Sequence, residues 1–448
     1  MIIELIILLI LTFSFLIIFA YIATHKNYLI QKYNSYKKVK DEKNYNIFDN
    51  NNKKGIFNKI KNYFINDYII YSKPKKKENT FTVLSYNILA QRYIHKLVKE
   101  NKFLEKKIRL DNIISEIKQI NPEIFCLQEA TFDVIQSHIK KNFEINYELI
   151  FHENEGSSLM NVIGIKKERF EILSETKIVI FNRELKVKNQ NDNNDEENED
   201  SENENEDYFY YNKIYVKGNR GIINLSIKDK LVKNKIINLF CVHFPWKPIF
   251  EYQKARIMGL IFDLILRKKI PNVIVAGDFN STPNSIVLRM VYYQDWEAEM
   301  SQNTQYINNN FTHNNKELNL IKETLNKMEK RENFENMIKY LMKLSKDIFD
   351  KYKIKSAYDD YRCEIKGQKF GFLRNHPKYT NYTNKFIDTI DYIFYSKSLN
   401  KIKILKIPDV EKEISYEKGK GKGNIFLPNE KHPSDHLKLV VTFEYNKI

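Results

Sequence analysis

Apolar residues recur along this chain in two rhythms, and each predicts a different element. Short β-branched and aromatic runs bounded by polar residues predict strands over Phe81–Ile88, Ile124–Gln128, Val162–Lys166, Ile222–Ile227, Ile236–His243, Asn272–Ala276, Ile390–Tyr395 and Leu437–Tyr445. Apolar positions three and four apart predict helices between the first two strands as far as Ile120, near Tyr252–Lys268, and near Lys316–Lys353. Strands that recur with helices between them define an α/β domain from about 80 to 448. Polar, aperiodic tracts near 187–208, 303–315 and 411–427 read as surface insertions in it.

Residues Ile2 to Ala23 break both rhythms. They form an almost continuous apolar run, interrupted by Glu4, Thr12, Ser14 and Tyr21, of a length that crosses a bilayer as a helix. The run has no basic start and exceeds a usual signal-peptide core, so 1–24 reads as an uncleaved transmembrane anchor. Lys26, Lys32, Lys37, Lys38 and Lys40 follow it and place the remainder on the cytosolic side. Residues 25–79 read as a basic tether, with an apolar patch from Ile56 to Ile70 that fits an amphipathic helix.

Charge and cysteine content narrow the classes further. The chain carries a formal net charge of +16, although ten Asp and Glu crowd 192–207 without a Lys or Arg, so the remainder is more basic still. That surplus favours a polyanionic partner, RNA or an anionic membrane surface, while the same Lys- and Asn-rich bias would also follow from compositional drift. Cys126, Cys241 and Cys363 are odd in number and lack CxxC spacing, which excludes a disulfide framework or thiolate zinc site and fits a reducing compartment.

The candidate chemistry lies where the apolar strands end. Asn87, Glu129, His243, Asp278 with Asn280, Asp391, and the pair Asp435–His436 each close or flank such a run, where side chains from different strands converge on one cleft. One strand-end Asp or Asn is usually a turn or cap residue. Six sites of this kind in one domain form a set: hard carboxylate and amide oxygens suit Mg²⁺ or Mn²⁺, and two imidazoles suit acid/base work or charge stabilisation.

Tyr86-Asn87, Leu127-Gln128-Glu129, Gly277-Asp278-Phe279-Asn280-Ser281, Ile390-Asp391-Tyr392-Ile393 and Ser434-Asp435-His436 occur in the order and spacing of a known set. Over 80–448 the chain resembles the endonuclease/exonuclease/phosphatase superfamily. Lys355-Ser356-Ala357-Tyr358, Tyr379-Thr380-Asn381-Tyr382-Thr383 with Phe386, and Ile390–Lys397 resemble its deadenylase branch, which includes angel- and nocturnin-like proteins. The resemblance implies two packed β-sheets flanked by helices, a four-layer α/β/β/α sandwich, here preceded by the transmembrane helix.

It also implies Glu129 as the principal Mg²⁺ ligand, one or two ions being bound, with Asn87 and Asp435 close to the metal. Asp278 and Asn280 would orient the attacking water and the scissile phosphate, Asp391 would polarise His436, and His243 would contact the phosphate. Asn381 and Phe386 would meet the substrate; Phe386 either stacks on a 3′-terminal base or packs in the core. The implied activity is 3′-5′ exonuclease action on single-stranded RNA, preferably poly(A), from a membrane-anchored cytosolic domain. The alternative is a sphingomyelinase-like lipid or small-molecule phosphoesterase, which the anchor would place beside its substrate. One departure stands in the histidine strand, which reads Val242-His243-Phe244-Pro245-Trp246-Lys247 where the branch has His-x-His-Trp.

Overall fold

A computed structural model describes residues 67–446, apart from Lys75 and the stretches 95–103, 152–158, 181–219, 247–250, 294–330, 362–374 and 414–425. The expected anchor, nearly all of the tether and the tracts at 187–208 and 303–315 lie outside the described residues. Among those described, no helix is long and apolar enough to cross a membrane.

Among the described residues fifteen strands follow in chain order. They are β1 (Tyr68–Ile70), β2 (Thr80–Asn87), β3 (Ile124–Ala130), β4 (Tyr147–Phe151), β5 (Met160–Lys166), β6 (Phe170–Ile180), β7 (Arg220–Asp229) and β8 (Ile236–His243). The second half adds β9 (Asn272–Asp278), β10 (Lys355–Ser356), β11 (Asn381–Tyr382), β12 (Ile387–Asp388), β13 (Asp391–Tyr395), β14 (Leu399–Leu405) and β15 (Leu439–Tyr445). One sheet has the order β1-β14-β15-β2-β3-β5-β4, the other β10-β13-β9-β8-β7-β6, and β11 and β12 form a separate hairpin. The main helices are α1 (Lys106–Ile120), α2 (Glu251–Lys268), α3 (Ile286–Val291) and α4 (Arg331–Tyr352).

The period of two along each strand builds the layers. Val83, Cys126, Ile163 and Ile165 of the first sheet meet Ile223, Leu225, Leu239 and Ile274 of the second in one buried cluster. The alternate residues Leu84, Phe125 and Leu127 pack under Ile113, Ile114 and Ile117 of α1. Phe240, Val242, Val273 and Val275 pack under α2 and α4 through Met258, Ile261, Leu344 and Ile348. The result is the expected helix, sheet, sheet, helix sequence of layers. Each buried aliphatic side chain adds about 1.5–3 kcal/mol of transfer free energy, so continuous apolar strands were required at the centre of both sheets.

Two features extend the reading from sequence. β1, in a segment read as tether and helix, instead pairs antiparallel with β14, so the folded unit begins at Asn66 rather than near 80. The ends of the 411–427 tract also belong to the fold, since Leu427 is buried and Glu413 bonds to His432 at 3.1 Å.

Strand direction places the functional residues. β2 and β3 run parallel, as do β8 and β9, so Asn87, Glu129, His243 and Asp278 arrive at one pole of the sandwich. β13 runs against β9 in a register that sets Asp391 opposite Asp278. β15 runs against β2, which brings the residues just before it, Asp435 and His436, to the same pole.

Candidate active site

Asp278 is the hub. Its Oδ2 accepts a hydrogen bond from Asn87 Nδ2 at 3.0 Å and lies 3.5 Å from His243 Nε2 and 3.8 Å from His436 Nε2. Oδ1 accepts from the Asn280 main-chain N–H at 2.8 Å, in an Asx turn that fixes the carboxylate plane. Asn280 Nδ2 donates to Phe244 O at 2.9 Å, so this side chain also ties the His243 strand to the Asp278 loop.

Glu129 stands beside this hub. One of its oxygens accepts from Asn87 Nδ2 at 3.3 Å and lies 3.8 Å from His243 Nε2, and the other accepts from the Ala90 N–H at 3.0 Å. Its backbone is left-handed, with φ 62°, as are those of Leu89 and Asn280 at 53° and 47°. Three non-glycine residues held at positive φ in one pole is the kind of local strain that functional sites retain. Gly277 has φ 152°, and a Cβ there would stand 2.0 Å from Val242 O, so the close approach of β8 and β9 that brings His243 to Asp278 requires glycine.

His436 completes the group through a relay. Its Nδ1 donates to Asp391 Oδ2 at 2.8 Å, and the same oxygen accepts from Thr380 Oγ1 at 2.6 Å. Asn381 forms a backbone bridge with His436, and the Tyr382 N–H donates to Asp435 O at 3.1 Å, so the β11–β12 hairpin is bound to the loop of Asp435 and His436. Asp435 Oδ1 lies 4.0 Å from His436 Nε2. Phe386 is 42% exposed at the hairpin tip, outside the cluster and outside the core.

Three acids face one imidazole here, the buried Asp278 and Asp391 and the partly buried Asp435. Burial pushes the Asp278 carboxyl up, His436 opposes this and Asp391 adds to it, and the group reaches about 7. Asp435 is raised by burial against the pull of His436. Burial works against a charged His436, yet the carboxylates of Asp391, Asp435 and Asp278 outweigh it and hold the ring well above its ordinary value. A carboxyl poised near neutral pH beside a charged imidazole separates a base from an acid within one site.

The donor set fits a hard divalent cation. Ligand atoms of Asp278, Asp391 and His436 lie within 4.8 Å of one another, the one such group among the described residues. Within it, however, Asp391 Oδ2 is already engaged by Thr380 and His436. Each oxygen of Glu129 and Asp278 also accepts one hydrogen bond, and burial first, with neighbouring carboxylates adding to it, raises Asp278 and Asp435, a cost that a cation among these acids would relieve.

Every expected catalytic and metal-facing residue thus reaches one pole. Residues not singled out from sequence are Thr380, which orients Asp391, and Ser434, whose Oγ donates to Asn87 O at 2.7 Å. Another is Arg109, buried on the apolar side of α1. The signal for Arg109 was available, since it occupies the same helical face as Ile113 and Ile117.

A two-sheet sandwich whose strand ends gather acids, amides and imidazoles at one pole defines a class of phosphoesterase scaffold. The model of the Endonuclease/Exonuclease/phosphatase family matches residues 84–436, and the chain belongs to that family. Among curated relatives, the probable CCR4-Not complex 3′-5′-exoribonuclease subunit Ccr4 of Enterocytozoon bieneusi is 23% identical over 386 residues, covering 82% of this chain and 64% of that one. Protein angel homolog 2 of Danio rerio is 26% identical over 412 residues, 81% of this chain and 64% of its own. The deadenylase branch seen in the C-terminal motifs therefore reappears among the relatives. This chain spans less than two thirds of both, and 42% of the Ccr4 subunit of Kluyveromyces lactis. The crystal structure of ANGEL2, a 2′,3′-cyclic phosphatase, with adenosine-2′,3′-vanadate shares the fold at a TM-score of 0.54 and 17% identity, covering 84% of this chain and 98% of that one.

Proposed function

We propose that this chain is a divalent-cation-dependent 3′-5′ exoribonuclease that removes adenylates from single-stranded RNA 3′ ends. The observation that carries the reading is the placement of Asp278 between Asn87, His243 and the Asp391-backed His436. Glu129, with Asn87 and Asp435 beside it, would hold Mg²⁺, or Mn²⁺ in its place. When bound, the ion neutralises nonbridging phosphate oxygens and lowers the pKa of a ligated water.

The protein's own groups do the rest. Asp278, with a pKa of about 7, accepts the proton of the attacking water near neutral pH. Asn280 fixes the plane of that carboxylate and tethers the His243 loop, a positioning role beside the one implied by resemblance. His436 stays protonated and faces the charge that develops on phosphorus, while His243 contacts the phosphate from the second sheet. Phe386, exposed on a hairpin bonded to the His436 loop, offers a face for the terminal base. Membrane attachment forms no part of this proposal, because the segment that would carry it lies outside the described residues.

The test incubates the full chain and Mg²⁺ with 5′-labelled oligoadenylate, mixed-sequence RNA, RNA ending in a 2′,3′-cyclic phosphate, and a sphingomyelin dispersion. Stepwise shortening of oligoadenylate is expected, stopped by EDTA and by Glu129→Ala. Inert RNA with release of choline phosphate would replace the reading by the lipid phosphoesterase, and removal of the terminal cyclic phosphate alone would replace it by an end-processing enzyme. Phe386→Ala is expected to raise KM for oligoadenylate about 5- to 100-fold, the effect of losing one base stack, with kcat little changed. Equal KM values would remove Phe386 from the substrate site.

A further inference from the structure

We propose that Arg109 is a positioning residue of this site, which turns two consecutive peptide groups toward Asn87 and Glu129 and ties their loop to the loop of Asp435 and His436. The proposal rests on the reading of this pole as a cation-dependent phosphoesterase site. Arg109 lies on α1, is 1% exposed, and belongs to no motif by which the site was recognised.

Its guanidinium donates from Nη1 to Ile88 O at 2.6 Å and from Nη2 to Leu89 O at 2.7 Å. The N–H groups of the same two peptides serve the site: Leu89 N–H donates to Asn87 Oδ1 at 3.0 Å, and Ala90 N–H donates to Glu129 Oε2 at 3.0 Å. A trans peptide directs its carbonyl and its N–H to opposite sides. The arginine therefore stands behind two peptides whose front faces hold Asn87 and Glu129, two of the residues that would hold the cation. It also polarises them, because a charged donor on each carbonyl strengthens the opposite N–H.

The turn has a conformational cost that this arrangement offsets. Leu89 sits at φ 53°, a left-handed conformation that is unfavourable for a non-glycine residue. Two charge-assisted hydrogen bonds on its flanking carbonyls are sufficient to hold it. Nη1 also donates to Pro433 O at 3.1 Å, immediately before Ser434-Asp435-His436, and Ser434 Oγ donates back to Asn87 O at 2.7 Å. The two loops are thus stitched twice, once through each partner. Nε donates to Gln91 Oε1 at 3.1 Å, which keeps the guanidinium plane in register with the turn.

An arginine that only filled the core would be expected to affect stability alone. A positioning role separates from that in two readouts: the Mg²⁺ concentration giving half of the maximal rise in Tm of the full chain, and the division of the defect between kcat and KM. In Arg109→Lys the Mg²⁺ midpoint is expected to rise about 10- to 100-fold, the usual effect of losing groups that orient metal ligands, with kcat falling similarly and KM within about threefold. A variant with a lower Tm in EDTA but the wild-type Mg²⁺ midpoint and kcat would overturn the proposal.

If Arg109→Lys does not fold, Gln91→Ala removes the acceptor of Nε, together with the Gln91 Nε2 donor to Leu104 O, and should shift both readouts about two- to tenfold, the effect of losing one hydrogen bond on the guanidinium. Unchanged values there would overturn the proposal equally. A wild-type chain that Mg²⁺ stabilises but that leaves every RNA intact refutes the proposed substrate, and the Arg109 assignment is then decided by the Mg²⁺ midpoint. A wild-type chain that Mg²⁺ does not stabilise overturns both.

Discussion

Asp278→Asn is expected to lower kcat on oligoadenylate by about 10²- to 10⁴-fold, the usual contribution of a positioned general base, while the metal-free protein becomes more stable at neutral pH. The two effects have one cause. The carboxyl is buried and faces Asp391, which raises its pKa to about 7 in the folded chain from an ordinary 3.8. A group raised on folding stabilises most fully in its protonated form, below its unfolded pKa, and that contribution is lost as pH climbs to the folded value. At pH 8 the wild-type fold therefore carries an ionised carboxylate it disfavours, which the neutral amide of Asn relieves. The gain in Tm measured in EDTA should be largest above pH 7 and should disappear by about pH 4, where the unfolded aspartate is itself protonated. Full turnover in the variant would remove Asp278 from the role of base; equal Tm values at pH 8 would show that its environment is not the desolvated one described.

The same burial explains which parts of the fold were legible in the sequence. β2, β3, β8 and β9 lie at the centre of the two sheets with both faces covered, so their sequences are nearly unbroken apolar runs that end at Asn87, Glu129, His243 and Asp278. Against these runs the strand-end residues stand out. β6 and β14 lie toward the sheet edges and were not among the strands expected from sequence; in β14 the polar or partly exposed Asn400 and Lys403 break the apolar run. β1 is three residues within a Lys- and Asn-rich segment, and only its pairing with β14 makes it a strand.

The roles of Thr380 and Ser434, which stand inside recognised motifs, and of Arg109, visible only as a residue on an apolar helix face, were hidden for a different reason. Thr380 acts on a carboxylate through its hydroxyl, while Ser434 and Arg109 act largely on main-chain carbonyls, and neither residue type nor spacing announces such contacts. The resemblance to a family supplied the residues expected to touch the reaction. The hydrogen bonds supplied the residues that hold them.

Asp391→Asn should move the alkaline limb of the kcat profile to lower pH by about 1–3 units and reduce kcat at neutral pH, with His436→Gln giving the limiting loss of about 10²- to 10³-fold. His436 is buried, which on its own would depress its pKa; the Asp391, Asp435 and Asp278 carboxylates reverse this and hold the imidazolium well above the ordinary value. Asp391 is the partner in contact, at 2.8 Å from Nδ1, so its neutral isostere keeps the shape and removes the nearest charge. Burial remains, and the ring then loses its proton at a lower pH. The sign for stability follows the same linkage: a raised histidine stabilises the fold most fully below its ordinary pKa and loses that contribution as pH rises through the folded value. Asp391→Asn should therefore cost more Tm at pH 6 than at pH 9. Thr380→Val should show the same displacement in weaker form, since it removes a donor to Asp391 Oδ2 and leaves the charge in place. An unmoved alkaline limb in Asp391→Asn would mean that His436 does not act as the charged acid, and the imidazolium role would pass to His243, 3.5 Å from Asp278 on the other sheet.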